Sequence, residues 1–194
     1  MTYKHTKIIL ILLLAIIMIS SCTLNKSTEK ILIANHQFEF IKTNEVNITN
    51  QGFDVKSNSK AEAKLMDVDF NKLKRADFKT EINGNLENGD YSEISVSIED
   101  ENNNIVEVAV MGSRADKRSP SIRKSFNFKS FSLEKSNDVI YYREQDAQFQ
   151  GRTLIIQKND IDKLNKNQKW HLNINGEVNG IGNVSIKIMN IEVS

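Results

Sequence analysis

Residues 77–99, with the sequence DFKTEINGNLENGDYSEISVSIE, decide the fold of this chain. The apolar side chains share one parity on both sides of the central Asn88-Gly89, at Phe78, Ile82, Leu86, Ile94, Val96 and Ile98. A period of two residues is typical of a β-strand with one buried face. Asn-Gly supplies the two positive φ angles of a type I′ turn. The stretch therefore predicts a β-hairpin that turns at Asn88-Gly89.

The same two-residue period continues on both sides of this stretch and predicts about ten or eleven strands. Residues 99–104 (EDENNN) predict a turn. A bulge near Lys129-Ser130 would bring four apolar side chains to one side, Phe126, Phe128, Phe131 and Leu133. Asn159 is typical of a helix N-cap, and the helix it predicts ends by about residue 167. The predicted fold class is all-β, an antiparallel two-sheet β-sandwich with one short helix.

Residues 153–194 add a family resemblance to this strand pattern. A short helix, a strand with Trp170-His171-Leu172-Asn173-Ile174, a loop rich in Gly and Asn and a final Ile/Val strand look like the end of jelly-roll carbohydrate-binding modules. The galactose-binding-like and concanavalin-like folds are the two that it resembles. The resemblance implies a β-sandwich of jelly-roll type that binds a glycan, but it fixes no ligand because a fold does not determine a function.

The first 22 residues have the features of an export signal. Two lysines precede an apolar run at 8–19, which is shorter than the ~20 residues that a membrane-spanning helix needs. Ile19-Ser20-Ser21-Cys22 resembles the lipobox of bacterial lipoproteins. The resemblance implies a signal peptide at 1–21 and a diacylglyceryl group on the Cys22 sulfur. Cys22 is the only cysteine, which excludes an intramolecular disulfide.

The lipobox resemblance also implies a domain layout and an address. Residues 22–30 are predicted to be the lipidated cysteine and a polar tether, and 31–194 a single β-sandwich domain. Thr23 occupies the position of the aspartate that is associated with inner-membrane retention. The expected location is therefore the bacterial cell envelope, with the protein lipid-anchored at the outer membrane and facing the periplasm.

The charge balance argues against nucleic acid as a partner. The chain has 26 Lys+Arg and 25 Asp+Glu. Cleavage after residue 21 removes Lys4 and Lys7 and no acid, so 24 Lys+Arg would face 25 Asp+Glu. DNA and RNA need a concentrated basic face, which a near-neutral surface of interspersed charges does not supply.

The sequence contains no motif for catalysis or metal binding. It lacks a G-x-S-x-G elbow and an H-E-x-x-H pair, and its one thiol is assigned to the lipid. A glycosidase carboxylate pair stays open, and so does a structural calcium ion at the EDENNN turn, although the consecutive acids lack EF-hand spacing. We therefore expect a protein that is not an enzyme and has no cofactor, and we assign no residue to a metal.

The densest cationic run lies at 112–124 (GSRADKRSPSIRK). It contains Arg114, Lys117, Arg118, Arg123 and Lys124. A basic loop of this kind fits the phosphates of lipid headgroups or of lipopolysaccharide, each basic residue near an anionic surface contributing about 1 kcal/mol. A solvated connection between two strands explains the same run, and both interpretations stay open.

An aromatic pair marks the candidate ligand site. Tyr141 and Tyr142 are adjacent in a predicted strand, so one of them points out of the sheet. We place Tyr142 outward as a platform for a sugar ring, with polar neighbours for the sugar hydroxyls, Arg143, Gln148, Gln150 and Arg152. The parity of Trp170 with Leu172 and Ile174 predicts instead that Trp170 belongs to the core.

These features favour a membrane-anchored envelope lipoprotein whose β-sandwich binds carbohydrate or envelope glycan without transforming it. The alternative is a structural or accessory lipoprotein that binds an envelope protein through a sheet face or edge. A glycan-active enzyme is a third interpretation. A groove with an exposed aromatic side chain would favour the first, and a large exposed apolar patch would favour the second.

Overall fold

The computed structural model describes residues 27–43, 45–114, 124–137, 139–145, 148–149, 154–155 and 161–194. Twelve strands account for most of them: β1 (Ser27–Ile33), β2 (His36–Lys42), β3 (Val46–Thr49), β4 (Gly52–Lys56), β5 (Ser59–Leu65), β6 (Arg75–Asp100), β7 (Ile105–Arg114), β8 (Lys124–Ser136), β9 (Val139–Gln145), β10 (Gln148–Phe149), β11 (Leu154–Ile155) and β12 (Trp170–Val193). No helix in the described part of the chain is long and apolar enough to span a membrane.

Two long strands, β6 and β12, hold the sheet together. They pair antiparallel along almost their whole length, from Trp170 opposite Asp100 to Val193 opposite Ala76. The first half of β12 also pairs with β5 and its second half with β4. The first half of β6 pairs with β8 and its second half with β7. The other strands therefore attach, directly or through a neighbour, to this β6–β12 ladder.

The ladder divides the sheet into two layers. Layer one contains, in spatial order, β1, β2, β5, the first half of β12, the second half of β6, β7 and β11. Layer two contains β3, β4, the second half of β12, the first half of β6 and β8, with β9 and β10 along the far edge of β8. Both layers are antiparallel at every pairing in the described residues.

The two layers face each other across one hydrophobic core. Phe40 of layer one and Phe53 of layer two have ring centroids 6.3 Å apart in an edge-to-face arrangement. Trp170 is buried, as predicted, and its indole N–H donates a hydrogen bond to the Asn165 carbonyl oxygen at 2.9 Å. Burial of apolar surface stabilises such a core by about 25 cal/mol per Å². The structure confirms the predicted fold class as an all-β antiparallel two-sheet sandwich.

The prediction for 77–99 is right about which side chains face the core and wrong about the turn at Asn88-Gly89. The apolar side chains predicted to face inward, from Phe78 to Ile98, are buried. The chain continues through Asn88-Gly89 as one strand, and β6 passes there from layer two to layer one. Gly89 and Gly180 lie opposite each other with φ of 121° and 122°. A Cβ on Gly180 would lie 2.2 Å from the Asn88 carbonyl oxygen, so both strands cross here through a contact that only glycine permits.

Two local predictions are confirmed. The register between β6 and β8 shifts between Lys79 and Ile82, beside Lys129, and all four predicted side chains face the core, Phe126, Phe128, Phe131 and Leu133. The EDENNN stretch forms the turn between β6 and β7. Of the predicted helix, the described residues contain one turn, in which the Leu164 N–H donates a hydrogen bond to the Ile161 carbonyl oxygen at 3.1 Å. Asn159, the predicted N-cap, lies outside the described residues.

The predicted tether extends too far into the domain. β1 begins at Ser27, so residues 27–30 belong to the sandwich and pair with β2. They lack an apolar period because β1 is the outermost strand of its layer and these residues are exposed. The signal peptide, Cys22 and residues 23–26 lie outside the described residues.

Asp100 connects the β6–β7 turn to the segment before β12 through hydrogen bonds. Its buried carboxylate accepts hydrogen bonds from the backbone N–H groups of Asn102, Asn104 and Asn165 at 2.9, 3.0 and 2.8 Å. The Asn104 side chain donates a further bond at 2.9 Å. Burial alone would raise the pKa of Asp100, but these hydrogen bonds favour the charged form and lower its pKa below the ordinary value.

We expect Gly180→Ala to lower the free energy of unfolding by at least about 2 kcal/mol, because alanine adds a disfavoured positive φ and a backbone clash at the crossing. Urea denaturation followed by circular dichroism measures this change. Asp90→Ala, at an exposed position beside the same crossing, is the control and should change stability by less than about 0.5 kcal/mol. Equal stability of the two variants would contradict the crossing as described.

Asp100→Asn should destabilise the protein by about 2 kcal/mol near neutral pH. The new NH₂ group would face N–H groups whose hydrogen bonds the carboxylate accepts in the wild type, so donors would lie against donors. The carboxylate contribution is complete above the ordinary Asp pKa of about 3.9 and is lost as the pH falls through the lower pKa of the folded state. Wild-type stability should therefore fall more steeply than that of the variant as the pH is lowered below about 4.

Urea midpoints measured across this pH range provide the test of Asp100. Glu101→Gln removes one exposed negative charge from the same turn and controls for the change in net charge. If Asp100→Asn and the wild type lost stability in parallel on acidification, the role given to the Asp100 carboxylate would be wrong.

Candidate functional site

The outer face of layer two carries polar side chains in rows that cross four strands. One row runs from β9 to β12 and consists of Gln145, Ser130, Lys79 and Asn190. The neighbouring row consists of Arg143, Ser132, Asp77 and Glu192. Strands lie about 4.8 Å apart and alternate residues about 6.7 Å apart, so the two rows cover roughly 14 by 7 Å.

This patch contains a groove that we call the bulge groove, because register shifts on both sides of β6 bound it. Between β12 and β6 the register shifts between Ile188 and Asn190, which leaves Met189 without a cross-strand partner. Between β6 and β8 it shifts between Lys79 and Ile82. Such irregularities bend the strands and redirect side chains. The groove has a volume of about 410 Å³, within the roughly 300–1,000 Å³ of small-molecule sites.

Buried aromatic side chains fix the floor of the bulge groove. Phe78 and Phe131 line it, and their rings are stacked with centroids 4.5 Å apart and planes 9° apart. Met189 also lines the groove and is 39% exposed, so it offers an apolar surface to solvent. A site that is built on paired strands over a packed floor is preorganised for its ligand.

The groove carboxylates already have partners. Arg75 donates two hydrogen bonds to Asp77, both at 2.7 Å, and these bonds lower the pKa of Asp77. Lys187 Nζ lies 3.7 Å from the Glu81 Oε2 atom. The Asn190 amide donates to Glu192 at 3.0 Å.

Gln145 supplies donors to the same groove. The Ser130 hydroxyl donates to the Gln145 side-chain oxygen at 3.0 Å, and this bond orients the amide. The amide N–H groups of Gln145 have no acceptor among the described residues. They are therefore available to a ligand oxygen at the β9 end of the row.

The placement of Tyr142 as an exposed platform is wrong. Its side chain is 3% exposed, its ring lies 5.8 Å from that of Phe131, and its hydroxyl donates to the Met111 sulfur. Burial raises the pKa of Tyr142 well above its ordinary value. Tyr141 is the exposed member of the pair, at 46%, and it pairs with Glu134 one row beyond Arg143. The aromatic platform therefore exists at Tyr141, on the same face as the bulge groove.

The other predicted ligand residues are placed in part. Arg143 is exposed and pairs with Ser132 in the second row of the patch. The backbone of Gln148 pairs with Asn127 along the same edge of β8. Gln150 and Arg152 lie outside the described residues. The structure thus brings Arg143 and the Gln148 backbone to one edge of layer two.

The predicted basic loop is shorter than 112–124, because strands enter it from both ends. β7 continues to Arg114, opposite Tyr91, and β8 begins at Lys124, opposite Leu86. Lys117, Arg118 and Arg123 lie outside the described residues. The binding of this loop to an anionic surface stays a prediction.

The outer face of layer one carries a second polar cluster, which is buried. Glu99 accepts hydrogen bonds from Lys64 Nζ at 2.9 Å and from Asn173 Nδ2 at 2.8 Å. Burial, with Lys64 nearby, lowers the pKa of His171. His171 Nδ1 and Asn173 Oδ1 have no partner among the described residues, but both side chains are buried. In the described ranges no three His, Cys, Asp or Glu side chains are placed to share a metal ion.

The sequence does not predict most of the bulge groove, but it does contain a signal that Tyr141 is exposed. Arg143 is charged and should face solvent, and Tyr141 shares its parity in β9, whereas Tyr142 shares parity with Ile140. The remaining groove residues come from strands far apart in the chain, for example Lys79, Ser130 and Asn190. No local pattern places these three side chains together.

Comparison with known proteins gives a likeness in structure only. No protein-family model and no curated protein matches the chain. It is similar to a chain of botulinum neurotoxin type C, which enters cells through interaction with two ganglioside molecules; the TM-score is 0.36 and the identity 13%, over 86% of this chain and 47% of that one. It is also similar to carbohydrate-binding modules of the β-sandwich superfamily with promiscuous specificity, with a TM-score of 0.26 and 11% identity, over 90% of this chain and 59% of that one.

This chain therefore covers less than two thirds of either of these two neighbours. Both TM-scores are low, so neither likeness bears on the ligand of this chain. The interpretation of the bulge groove depends on its own side chains.

Proposed function

We propose that this chain is a non-catalytic binding module that holds a carbohydrate on the outer face of layer two. The observation that carries the proposal is the exposed Tyr141 ring on the same face as the bulge groove. A sugar presents a C–H face that stacks on an aromatic ring and hydroxyls that need hydrogen-bonding partners. Tyr141 would supply the first, and the polar rows of the groove would supply the second.

The side chains of the patch divide these tasks. Tyr141 and Met189 are the exposed apolar surfaces. Gln145, Asn190 and Arg143 are planar hydrogen-bonding groups on the same face, and all three are exposed. A few polar groups around an apolar surface are what fixes the orientation of a bound ligand. The combination suits one or two sugar units within the roughly 14 Å that the rows span.

The chemistry of the groove favours binding over hydrolysis. A glycosidase needs one carboxylic acid whose pKa is raised so that it can protonate the leaving group. Asp77 has its pKa lowered by Arg75, and Glu81 faces Lys187. The Asp77 carboxylate is therefore held in the charged form, which is the wrong state for a general acid.

The proposal includes the lipid anchor on Cys22, which the lipobox resemblance implies. β1 begins at Ser27, so five residue steps separate Cys22 from the sandwich. An extended chain of that length reaches at most about 18 Å. The binding face would then work close to the surface of a membrane, at the outer membrane of the envelope and facing the periplasm.

A role in binding an envelope protein is the alternative function, and one observation favours it. β1 is an edge strand that pairs only with β2 among the described residues, and Leu32 on it is 64% exposed. An edge strand offers unpaired backbone groups to a strand of another chain. This surface belongs to layer one, so it does not compete with the bulge groove.

Tyr141→Ala should weaken glycan binding by about tenfold, because it removes the stacking surface. The full chain, purified in detergent, is screened on a glycan array, and isothermal titration calorimetry with the best ligand then gives the Kd. Tyr142→Phe, in the core next to it, is the matched control and should leave the Kd within about twofold of the wild type. The proposal fails if no glycan binds or if Tyr141→Ala binds as tightly as the wild type.

Cys22→Ala should move the protein from the membrane fraction to the soluble fraction, because it removes the sulfur that would carry the acyl chains. Fractionation followed by immunoblotting measures the distribution, and mass spectrometry of the wild type detects the acyl mass. Ser20→Ala keeps a small residue in the lipobox and should stay in the membrane fraction. A membrane-bound Cys22→Ala protein, or a wild type without acyl chains, would refute the anchor.

A further inference from the structure

The bulge groove contains cations that its acids do not neutralise. Asp77 is bound by Arg75, and Glu81 faces Lys187. Glu192, at the β12 end of the second row, accepts a hydrogen bond from the neutral Asn190 amide and has no cationic partner among the described residues. These contacts leave Lys79 and Lys129, which line the same groove, without an ion pair among the described residues. Both side chains are exposed.

The strand register sets these two lysines beside each other. Lys79 pairs with Ser130, the residue that follows Lys129, at the register shift between β6 and β8. Neighbouring cations repel each other, and an anion bound between them would relieve this repulsion. The shift that opens the groove thus also places two lysines on its β6–β8 side, where Glu81 already pairs with Lys187.

Arg143 adds a third cation at the β9 side of the groove. It is exposed, pairs with Ser132, which lines the groove, and has no ion pair in the described part of the chain. A guanidinium group binds a carboxylate or a sulfate through two parallel hydrogen bonds. Lys79, Lys129 and Arg143 therefore lie around the Ser130–Ser132 segment of β8 and give this side of the groove three cations that no acid of the described residues pairs with.

The geometry points to an acidic saccharide as the ligand of the bulge groove, one that carries a carboxylate or a sulfate group. This inference rests on the proposed glycan-binding function and names the class of glycan. The anionic group would lie over Ser130 and Ser132, between the two lysines and Arg143. The sugar ring would extend toward Tyr141, which lies one row beyond Arg143 on β9.

A glycan array of matched pairs tests this assignment, with each acidic glycan placed beside its carboxyl-reduced or desulfated counterpart. The full chain in detergent should bind the acidic members at least tenfold more tightly at low ionic strength. The preference should shrink as salt is added, because exposed charges are screened. Neutral counterparts that bind equally well would overturn the inference and leave the proposed function standing, whereas an array without any bound glycan would overturn both.

A double substitution shows whether these cations carry the preference. Lys79→Gln combined with Lys129→Gln should reduce the acidic preference to less than threefold, with unchanged circular dichroism. Lys30→Gln combined with Lys74→Gln removes two exposed lysines outside the groove and should keep the preference. A preference that survives the first pair, or that both pairs remove equally, would refute the assignment to the groove.

Competition separates an acidic saccharide from other sources of the same anion. Inorganic sulfate and vesicles with anionic lipid are each added to the bound acidic glycan. The inference expects that neither displaces the glycan at concentrations where the free acidic saccharide does. Displacement by sulfate or by vesicles at those concentrations would show that the groove recognises an anion or a lipid surface and not a saccharide.

Discussion

The pairing of β6 with β12 is the constraint on which the rest of the structure depends. Two strands of this length cross from one layer to the other, and their backbone groups must stay paired throughout because an unpaired buried N–H or C=O is costly. Both strands must therefore bend at the same point. Gly89 and Gly180 meet there with positive φ angles, and the absence of a Cβ on each lets the backbones approach. The two layers are consequently halves of one ladder, and the core is the space between them.

The same ladder explains where the bulge groove lies. After Ile188 the β12 chain gains one residue relative to β6, which puts Ile191 into the core opposite Phe78 and leaves Met189 on the outer face. The neighbouring register shift against β8 does the same for the phenylalanines on either side of Lys129 and Ser130. Each irregularity gives up a regular pairing, and in return side chains of adjacent strands converge on one patch. The groove is therefore a consequence of how the core is filled.

The sequence allowed the local features of this fold to be predicted, but not the contacts between distant strands. Period two predicted which residues of β6 face inward, and the phenylalanines of β8 revealed the register shift beside Lys129. The parity of Arg143 contained the information that Tyr141 is exposed. The Asn88-Gly89 pair, in contrast, is a strong local signal for a turn, and only Gly180, about ninety residues later in the chain, makes it a crossing. The polar rows of the bulge groove likewise join residues of four strands that are far apart in the chain, so they could not be predicted without the strand order.

The two polar outer faces differ in whether their charged side chains are paired, and this difference supports the proposed binding face on layer two. In layer one the half-buried Lys64 pairs with the buried Glu99, and Asn173 also donates to Glu99, so the cost of removing these charges from water is offset within the protein. In layer two Lys79, Lys129 and Arg143 stay exposed and without an acidic partner among the described residues. An anionic ligand gains most from cations that no acid of the protein already pairs with, because it then displaces no existing ion pair. The outer face of layer two meets that condition, and the buried cluster of layer one does not.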